Sequence, residues 1–493
     1  MFLPTTQEEI KKLNWTYLDI ILVSGDTYID SSFIGVSVIG QLLTEAGYKV
    51  GIIAQPDIRK PDDICRLGEP RLFWGVSAGS VDSMIANYTA SGKKRKKDDY
   101  TPGGVNNQRP DRATIVYANL IKQYFKNTKP IVLGGIEASL RRLAHYDFWS
   151  NQIRRSILFD SKADFLVYGM AETSIIQLAE CLEKEKDHTN IKGICYIADS
   201  PVANSLVLPS FAEVKKDKKK FIKMFDLFYQ NQDPFQGKIL VQKQDNRYLI
   251  HNPPAIPLRE KELDKVYEMD FQRDVHPYYK KQGVVRALDT IRFSITSHRG
   301  CFGECNFCAI TVHQGRIIQS RSEKSILKEA KRLTQEKDFK GYILDVGGPT
   351  ANMYQMSCLK QKKQHCSGKR CLFPVICPNL NHSHQPQIKL LQKIRKIPEI
   401  KKVFVASGIR YDLILADRQY GKGYLKEIIQ NHISGQMKIA PEHIKKSILS
   451  LMGKASQFNV SDFKKLFDHI NEKTGKKQFL TYYFIAAHPG CRE

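Results

Sequence analysis

Short apolar runs alternate with helical spans along this chain, and several of the runs stop at glycine. In the first half, strands are expected over 19–24, 49–54, 71–77, 130–133 and 164–168, and helices over 35–46 and 113–125. Strands separated by helical spans pair in parallel, because each crossover carries the chain back to the starting edge. This sets the α/β class. Ligands of such sheets bind beyond the carboxyl ends of the strands, where Gly25, Gly134 and Gly135 fall.

The rhythm restarts in the C-terminal half, with strands expected over 291–296, 341–346, 402–406, 436–439 and 479–486. Ser322 is placed to cap a helix, with Glu323 in the first turn where the helix dipole favours an anion. A further helix is expected over 388–396. Gly347-Gly348-Pro349-Thr350, Ser407-Gly408-Ile409-Arg410 and Pro441-Glu442-His443 gather at the strand ends, as in a barrel whose site lies on that face. Between the halves the periodicity weakens, and 205–285 turns basic and proline-bearing. Because proline holds its neighbours extended, this stretch reads as an ordered connector. Three segments result: a Rossmann-like domain over 1–204, the connector over 205–285, and a partial barrel over 286–493.

The strongest chemical signal is Cys301, Cys305 and Cys308 in Arg299-Gly300-Cys301-Phe302-Gly303-Glu304-Cys305-Asn306-Phe307-Cys308. Without other signs of secretion, close spacing of this kind points to metal rather than disulfides. Three thiolates can hold an iron–sulfur centre and leave one position open. A zinc site completed by His298 or His313 is the competing reading, and it needs four tetrahedral ligands.

The chain carries 76 Lys+Arg against 51 Asp+Glu, a formal charge of +25. Lysine runs at 93–97 and 215–220 read most simply as solvated loops. An anionic partner such as RNA would also suit the charge, but no RRM, KH or helix-turn-helix signature accompanies it. The first fifteen residues form no apolar signal segment, and the longest apolar runs are far too short to span a bilayer. A soluble, cytoplasmic protein is expected.

The spacing of the three cysteines, with Phe307 before the last, resembles the radical S-adenosylmethionine (SAM) superfamily. The resemblance implies that the cysteines ligate three irons of a [4Fe-4S] cluster and that SAM chelates the fourth. It further implies that an electron, supplied by a reductant such as flavodoxin or ferredoxin, releases a 5'-deoxyadenosyl radical. The same resemblance puts Gly347, Gly348 and Pro349 beside the methionyl amine, Phe307 near the adenine, and Ser407 and Arg410 against ribose and carboxylate. Lys438, Glu442 and His443 are candidates for the pocket wall.

Val132-Leu133-Gly134-Gly135, and Asp164 to Gly169 through Glu172, are similar to cobalamin-binding-type Rossmann domains. Those with a lower axial histidine carry Asp-x-His-x-x-Gly, whereas here Ser32 replaces the histidine in Asp30-Ser31-Ser32-Phe33-Ile34-Gly35. Cobalamin binding is therefore not expected. Across almost the whole chain, four motifs resemble the YgiQ-type family. These are Tyr100-Thr101-Pro102-Gly103-Gly104, Gly134-Gly135-Ile136-Glu137-Ala138-Ser139-Leu140-Arg141-Arg142, Gly315-Arg316-Ile317-Ile318-Gln319-Ser320-Arg321-Ser322 and Gly347-Gly348-Pro349-Thr350-Ala351-Asn352-Met353-Tyr354. Related barrels have six strand–helix units. Five strands precede Glu493, so a truncated product is expected.

The function expected is SAM cleavage by a radical SAM enzyme of unknown substrate. Two other readings remain: an RNA-modifying radical SAM enzyme such as a methylthiotransferase, and a non-catalytic, zinc-stabilised RNA-binding protein. A second group, Cys358, Cys366, Cys371 and Cys377, has His365, His382 and His384 nearby. It admits zinc, an auxiliary iron–sulfur cluster or free thiols.

Overall fold

In a computed structural model of the chain, residues 1–358, 360, 366 and 370–492 are described. They divide into two units, Met1–Ile256 with Met269–Asp289, and Pro257–Glu268 with Thr290–Glu493.

In unit 1, β1 (Ile20–Ser24) and β2 (Val50–Ala54) are apolar without alternation, and every residue in them is buried. Strands covered on both faces read this way. Between them α1 (Gly35–Glu45) ends just before Gly47, whose φ of +98° suits a left-handed exit from the helix. β3 (Phe73–Ser77), β4 (Ile131–Gly134) and β5 (Phe165–Val167) extend the parallel sheet in the order β2-β1-β3-β4-β5. The order reverses between β1 and β3, which makes that crevice the switch point of the sheet. Tyr117 and Ile121 of α2 (Ala113–Tyr124) share one buried cluster with Trp74, Val76 and Leu133.

The sheet does not stop at β5. β6 (Ile194–Ala198) pairs with it antiparallel. β7 (Leu206–Val207), β8 (Leu240–Gln244) and β9 (Arg247–His251) follow, completing nine strands in the order β7-β8-β9-β6-β5-β4-β3-β1-β2. The stretch expected to be a connector therefore supplies three strands. Leu240, Val241, Leu249 and Ile250 are fully buried, while Lys243 and Arg247 are exposed. Those interspersed basic residues are what masked the strand pattern. The chain then gives α3 (Glu260–Glu268) to unit 2 and returns to unit 1 over 269–289. There the Gly103 N–H donates to the Val284 carbonyl at 3.0 Å, and a Cβ on Gly283 would lie 2.6 Å from Gly103 N. The Thr101-Pro102-Gly103-Gly104 motif is thus a turn clasped within unit 1.

In unit 2, β10 (Ser294–Thr296) leads into a small antiparallel ladder of β11 (His298–Arg299) and β12 (Gln319–Ser320). α4 (Ala309–Gln314) lies inside the loop this ladder closes. Ser322 caps α5 (Glu323–Thr334), its hydroxyl accepting from Ser325 N at 3.1 Å. The helix buries Ile326, Ala330 and Leu333 along one stripe. The strand expected over 341–346 divides into β13 (Tyr342–Ile343) and β14 (Asp345–Gly347).

β15 (Ser357–Cys358) and β16 (Leu380–Asn381) form another short ladder. α6 (Gln385–Arg395), β17 (Lys402–Val403), two short helices over Tyr411–Ala416 and Gly421–Glu427, β18 (Gln436–Glu442), α7 (Lys446–Leu451), α8 (Val460–Lys473) and β19 (Phe479–Phe484) follow in the unit. Each half of the divided strand serves a different parallel neighbour, β14 with β10 and β13 with β17. A single parallel bridge, Ile409 to Ile439, continues the run, and β18 pairs in parallel with β19. Consecutive parallel pairing with intervening helices is the connectivity of a barrel wall. In α3, Tyr267 accepts a hydrogen bond from Arg299 Nε at 2.8 Å and packs under the guanidinium groups of Arg299 and Arg321. Among the described residues no helix is long and apolar enough to cross a membrane.

Candidate metal centre

The cysteine loop is held by the β11–β12 ladder. Gly300 has φ +84° and must be glycine, since a Cβ there would lie 2.1 Å from the Ile317 carbonyl oxygen. The Cys301 N–H donates to the Gly315 carbonyl at 3.2 Å, and the Cys308 N–H to that of Cys305 at 2.9 Å. Asn306 ties the loop to the end of α7 through Met452 O at 2.9 Å and Leu451 O at 2.7 Å.

The loop wraps around Gly303. A Cβ there would lie 2.7 Å from Arg410 Nη1, 3.2 Å from Cys301 Sγ and 3.6 Å from Cys305 Sγ. Two sulfurs and a guanidinium therefore converge where the chain offers no side chain. Thr350 Oγ1 stands 3.4 Å from Cys301 Sγ, and Arg410 Nη1 stands 3.9 Å from Cys305 Sγ. Burial pushes the Cys308 thiol up, and Cys305 and Cys301 are near enough to add to the effect. Among the described residues no three His, Cys, Asp or Glu side chains converge closely enough to clasp a single ion. In an iron–sulfur cluster each cysteine holds its own iron, and the Cys301 and Cys305 sulfurs beside the open space at Gly303 suit that arrangement.

Arg410 is fixed by a chain of polar contacts. Its Nε and Nη2 donate to the Asp412 carboxylate at 3.0 and 2.5 Å. Its N–H donates to Asn352 Oδ1 at 2.8 Å, and Asn352 Nδ2 donates to the Arg410 carbonyl at 3.0 Å and lies 3.0 Å from His384 Nε2. His384 Nδ1 in turn lies 2.9 Å from Asp417. Burial opposes the Arg410 charge, but Asp412, Cys305 and Cys301 outweigh it and raise the pKa. Lys454, also near Cys305, is depressed by burial and then by Arg410, with Glu442 and Asp412 pulling the other way. The loop is thus flanked by two cations, Lys454 buried and Arg410 partly so, an environment that favours anionic groups.

The other expected contacts are distributed differently. The Gly347 carbonyl accepts from Ser297 N and Oγ at 2.7 and 3.1 Å. Gly348 makes room for His298, whose Nε2 would meet a Cβ there at 2.7 Å and lies 3.0 Å from Thr350 O. His298 is thereby engaged by Thr350, and burial lowers its pKa to about 4. Pro349 is half-buried and Phe307 is 39% exposed. Ser407 donates to Asp345, whose carboxyl burial pushes up and whose Oδ1 also accepts from Ala406 N at 2.8 Å. Lys438 is exposed, Glu442 pairs with Lys454 at 3.7 Å, and His443 Nε2 lies 3.7 Å from Cys491 Sγ.

Reasoning from the sequence passed over Gly303, Asp345, Asn352, Asp412 and Lys454. The Arg410-x-Asp412 pair and an acid two residues before Gly347 were visible signals. Asn352 and Lys454 had none, since only the fold brings them in.

Of the second cysteine group, Cys371 lies within electrostatic reach of Cys358 and Cys377, and burial raises its thiol pKa to about 12. His384 is committed to Asp417, and His382 Nδ1 to Leu380 O at 3.0 Å. His365 lies outside the described residues.

In unit 1, the glycines at the carboxyl strand ends admit the unit's own atoms. A Cβ on Gly25 would lie 2.1 Å from Ala78 O, and one on Gly135 would lie 2.5 Å from Ser77 Oγ. Beside them Arg109 pairs with Asp26 and Asp98 at 2.7 and 3.1 Å. Glu137, fully buried, accepts from Ser83 N and Thr114 N at 2.8 and 3.0 Å. Asp30 accepts from Ser37 Oγ at 2.6 Å, and the nearby Ser32 hydroxyl is buried with no hydrogen-bond partner among the described residues.

The family model for the radical SAM N-terminal region matches residues 2–294. A UPF0313 protein of Fusobacterium nucleatum is 58% identical over 494 residues, covering 100% of this chain and 87% of that protein. One from Thermotoga maritima is 50% identical, covering 99% and 86%. Among solved structures, the cobalamin-dependent SAM radical enzyme OxsB with aqua-cobalamin bound aligns at TM-score 0.53 and 13% identity, over 97% of this chain and 50% of that one. The radical SAM methyltransferase TsrM of Kitasatospora setae, with tryptophan and a SAM analogue bound, aligns at 0.50 and 13%, over 96% and 68%. At that identity the likeness shows shared fold.

It also corrects one expectation. Cobalamin was not expected because Ser32 stands where an axial histidine would, yet the fold is shared with an enzyme described as cobalamin-dependent. A missing axial ligand tests one contact of a corrinoid, and the rest of such a site is shape.

Proposed function

The chain belongs to the UPF0313 family, the YgiQ-type radical SAM proteins, and on that premise we propose that Cys301, Cys305 and Cys308 hold a [4Fe-4S] cluster that binds and reductively cleaves SAM. The observation that carries this reading is the convergence at Gly303 of the Cys301 and Cys305 sulfurs with the Arg410 guanidinium. The chemistry a bound cluster supplies is one-electron reduction of the SAM sulfonium, which yields methionine and a 5'-deoxyadenosyl radical.

The residues of the chain then have distinct tasks. Gly303 leaves the space free. Arg410, held by Asp412 and Asn352, offsets the negative charge of the thiolates and presents a fork suited to a carboxylate. Thr350 places the end of β14 beside Cys301, and through it the Gly347-Gly348 backbone. Ser407, oriented by Asp345, is assigned to the ribose side, and Phe307 to the adenine.

The test is anaerobic reconstitution followed by dithionite and SAM. Iron–sulfur absorption in the visible region and formation of 5'-deoxyadenosine are expected. Absence of cleavage by protein that carries the cluster would defeat the proposal.

The fold likeness also brings cobalamin to this chain as a candidate ligand of unit 1, and the buried Ser32 hydroxyl, which has no hydrogen-bond partner among the described residues, is the polar group such a ligand could engage. Expression with cobalamin supplied should yield protein with corrinoid absorption. Colourless protein after removal of iron would count against it.

A further inference from the structure

We propose that Cys358, Cys366, Cys371 and Cys377 form a second metal site in unit 2, a closed set of four thiolates that holds zinc or an iron–sulfur cluster. It is independent of SAM cleavage. The proposal starts from how the chain closes on itself: the β15–β16 ladder sets Cys358 opposite Leu380, so the excursion between them returns to its starting point. The Leu380 N–H donates to the Cys377 carbonyl at 3.0 Å, and the Cys377 N–H to that of Cys371 at 2.8 Å. One short ladder and one turn thereby bring three of the thiols to the same end of the excursion.

The described part of that excursion has a small apolar footing. Its apolar support is a small cluster containing Phe302, Met353, Met356, Leu372, Leu380 and Leu413. A segment with so small a core is ordinarily stapled by disulfides or metal. All four cysteines are free and half-buried, and thiols in that state are available as metal ligands. As at Cys301, Cys305 and Cys308, no three side chains converge on one ion among the described residues, and a bound metal would draw the thiolates together.

The two sets differ in a way that assigns their roles. Three cysteines leave a position for an outside ligand, whereas four complete a tetrahedral or cubane shell. The second site is therefore closed to substrate. Its place explains its use: Cys371 and Cys377 pack on the same apolar cluster as Cys301. Arg370 Nη1 also fills the space beside Gly453, 2.0 Å from where a Cβ would fall, and Asn306 Oδ1 of the cysteine loop borders the same point at 3.1 Å. Metal there would brace the loop that carries the first centre.

The test is metal and sulfide analysis of the full chain with Cys301, Cys305 and Cys308 all changed to Ala, purified without oxygen. The variant is expected to retain about one zinc, or about four irons with matching sulfide, per chain. A folded triple variant with neither would overturn the proposal. Should that variant fail to fold, Cys371→Ser in the parent chain is expected to lose that same complement and keep the rest, and an unchanged metal content would overturn the site. Parent protein lacking iron at the first loop, with metal retained in the triple variant, would defeat the proposed function and leave the second site standing.

Discussion

Gly303 shows how one missing side chain can shape a candidate site. Its φ demands nothing, but an added Cβ would press on Arg410 Nη1 and both neighbouring sulfurs. Overpacking of this kind costs about 1–3 kcal/mol, so Gly303→Ala should weaken cluster retention roughly five- to hundred-fold. Iron and sulfide titration during anaerobic reconstitution measures this, and parental retention would show that the space is incidental. His298 carries a separate, pH-dependent prediction. Its folded pKa is about 4 against an ordinary 6.5, because burial disfavours the imidazolium. A depressed pKa gives stability that is present above pH 6.5 and lost as pH falls toward 4, at most about 3 kcal/mol. Urea midpoints for His298→Gln should therefore depend less on pH between 6.5 and 4 than those of the parent chain. Equal slopes would assign the acid sensitivity to other groups. At this scale the candidate ligands Cys301, Cys305 and Cys308 stood out in the sequence by spacing and Arg410 by its place at a strand end. The sequence could not announce Asn352 or Lys454, whose roles depend on contacts across long stretches of chain.

Among the elements, those with an uninterrupted physical signal were legible. β1 and β2 are wholly apolar, α1 ends at a glycine, and α5 has a serine cap and an apolar stripe, so each lies within a few residues of its expected span. The three sheet strands within 205–285 were not legible, because β7 is only two residues long and exposed Lys243 and Arg247 interrupt the mostly buried runs of β8 and β9. Tertiary pairing overrides that local ambiguity: β9 lies between β8 and β6 and makes antiparallel ladders with both. Leu249→Ala, at the buried centre of β9, should cost unit 1 about 2–5 kcal/mol. A denaturation midpoint unchanged by this substitution would return the stretch to the status of a connector.

Taken whole, the chain records its chemistry and its fold in different ways. Alternating strands and helices determine an α/β protein by themselves, since crossover helices allow parallel pairing and little else. Cysteine spacing likewise identifies the kind of metal chemistry, because ligands close in sequence are close in space whatever the fold. Membership of the parts was decided only in three dimensions. Unit 1 takes 269–289 and unit 2 takes 257–268, an exchange that no composition shift marks. In the same way, only packing could show that Asp345 orients Ser407, or that Asp412 and Asn352 hold Arg410 beside Cys305. The physical reason is range: periodicity, capping and ligand spacing act over a few neighbouring residues, whereas burial and long-range pairing exist only once distant segments have met.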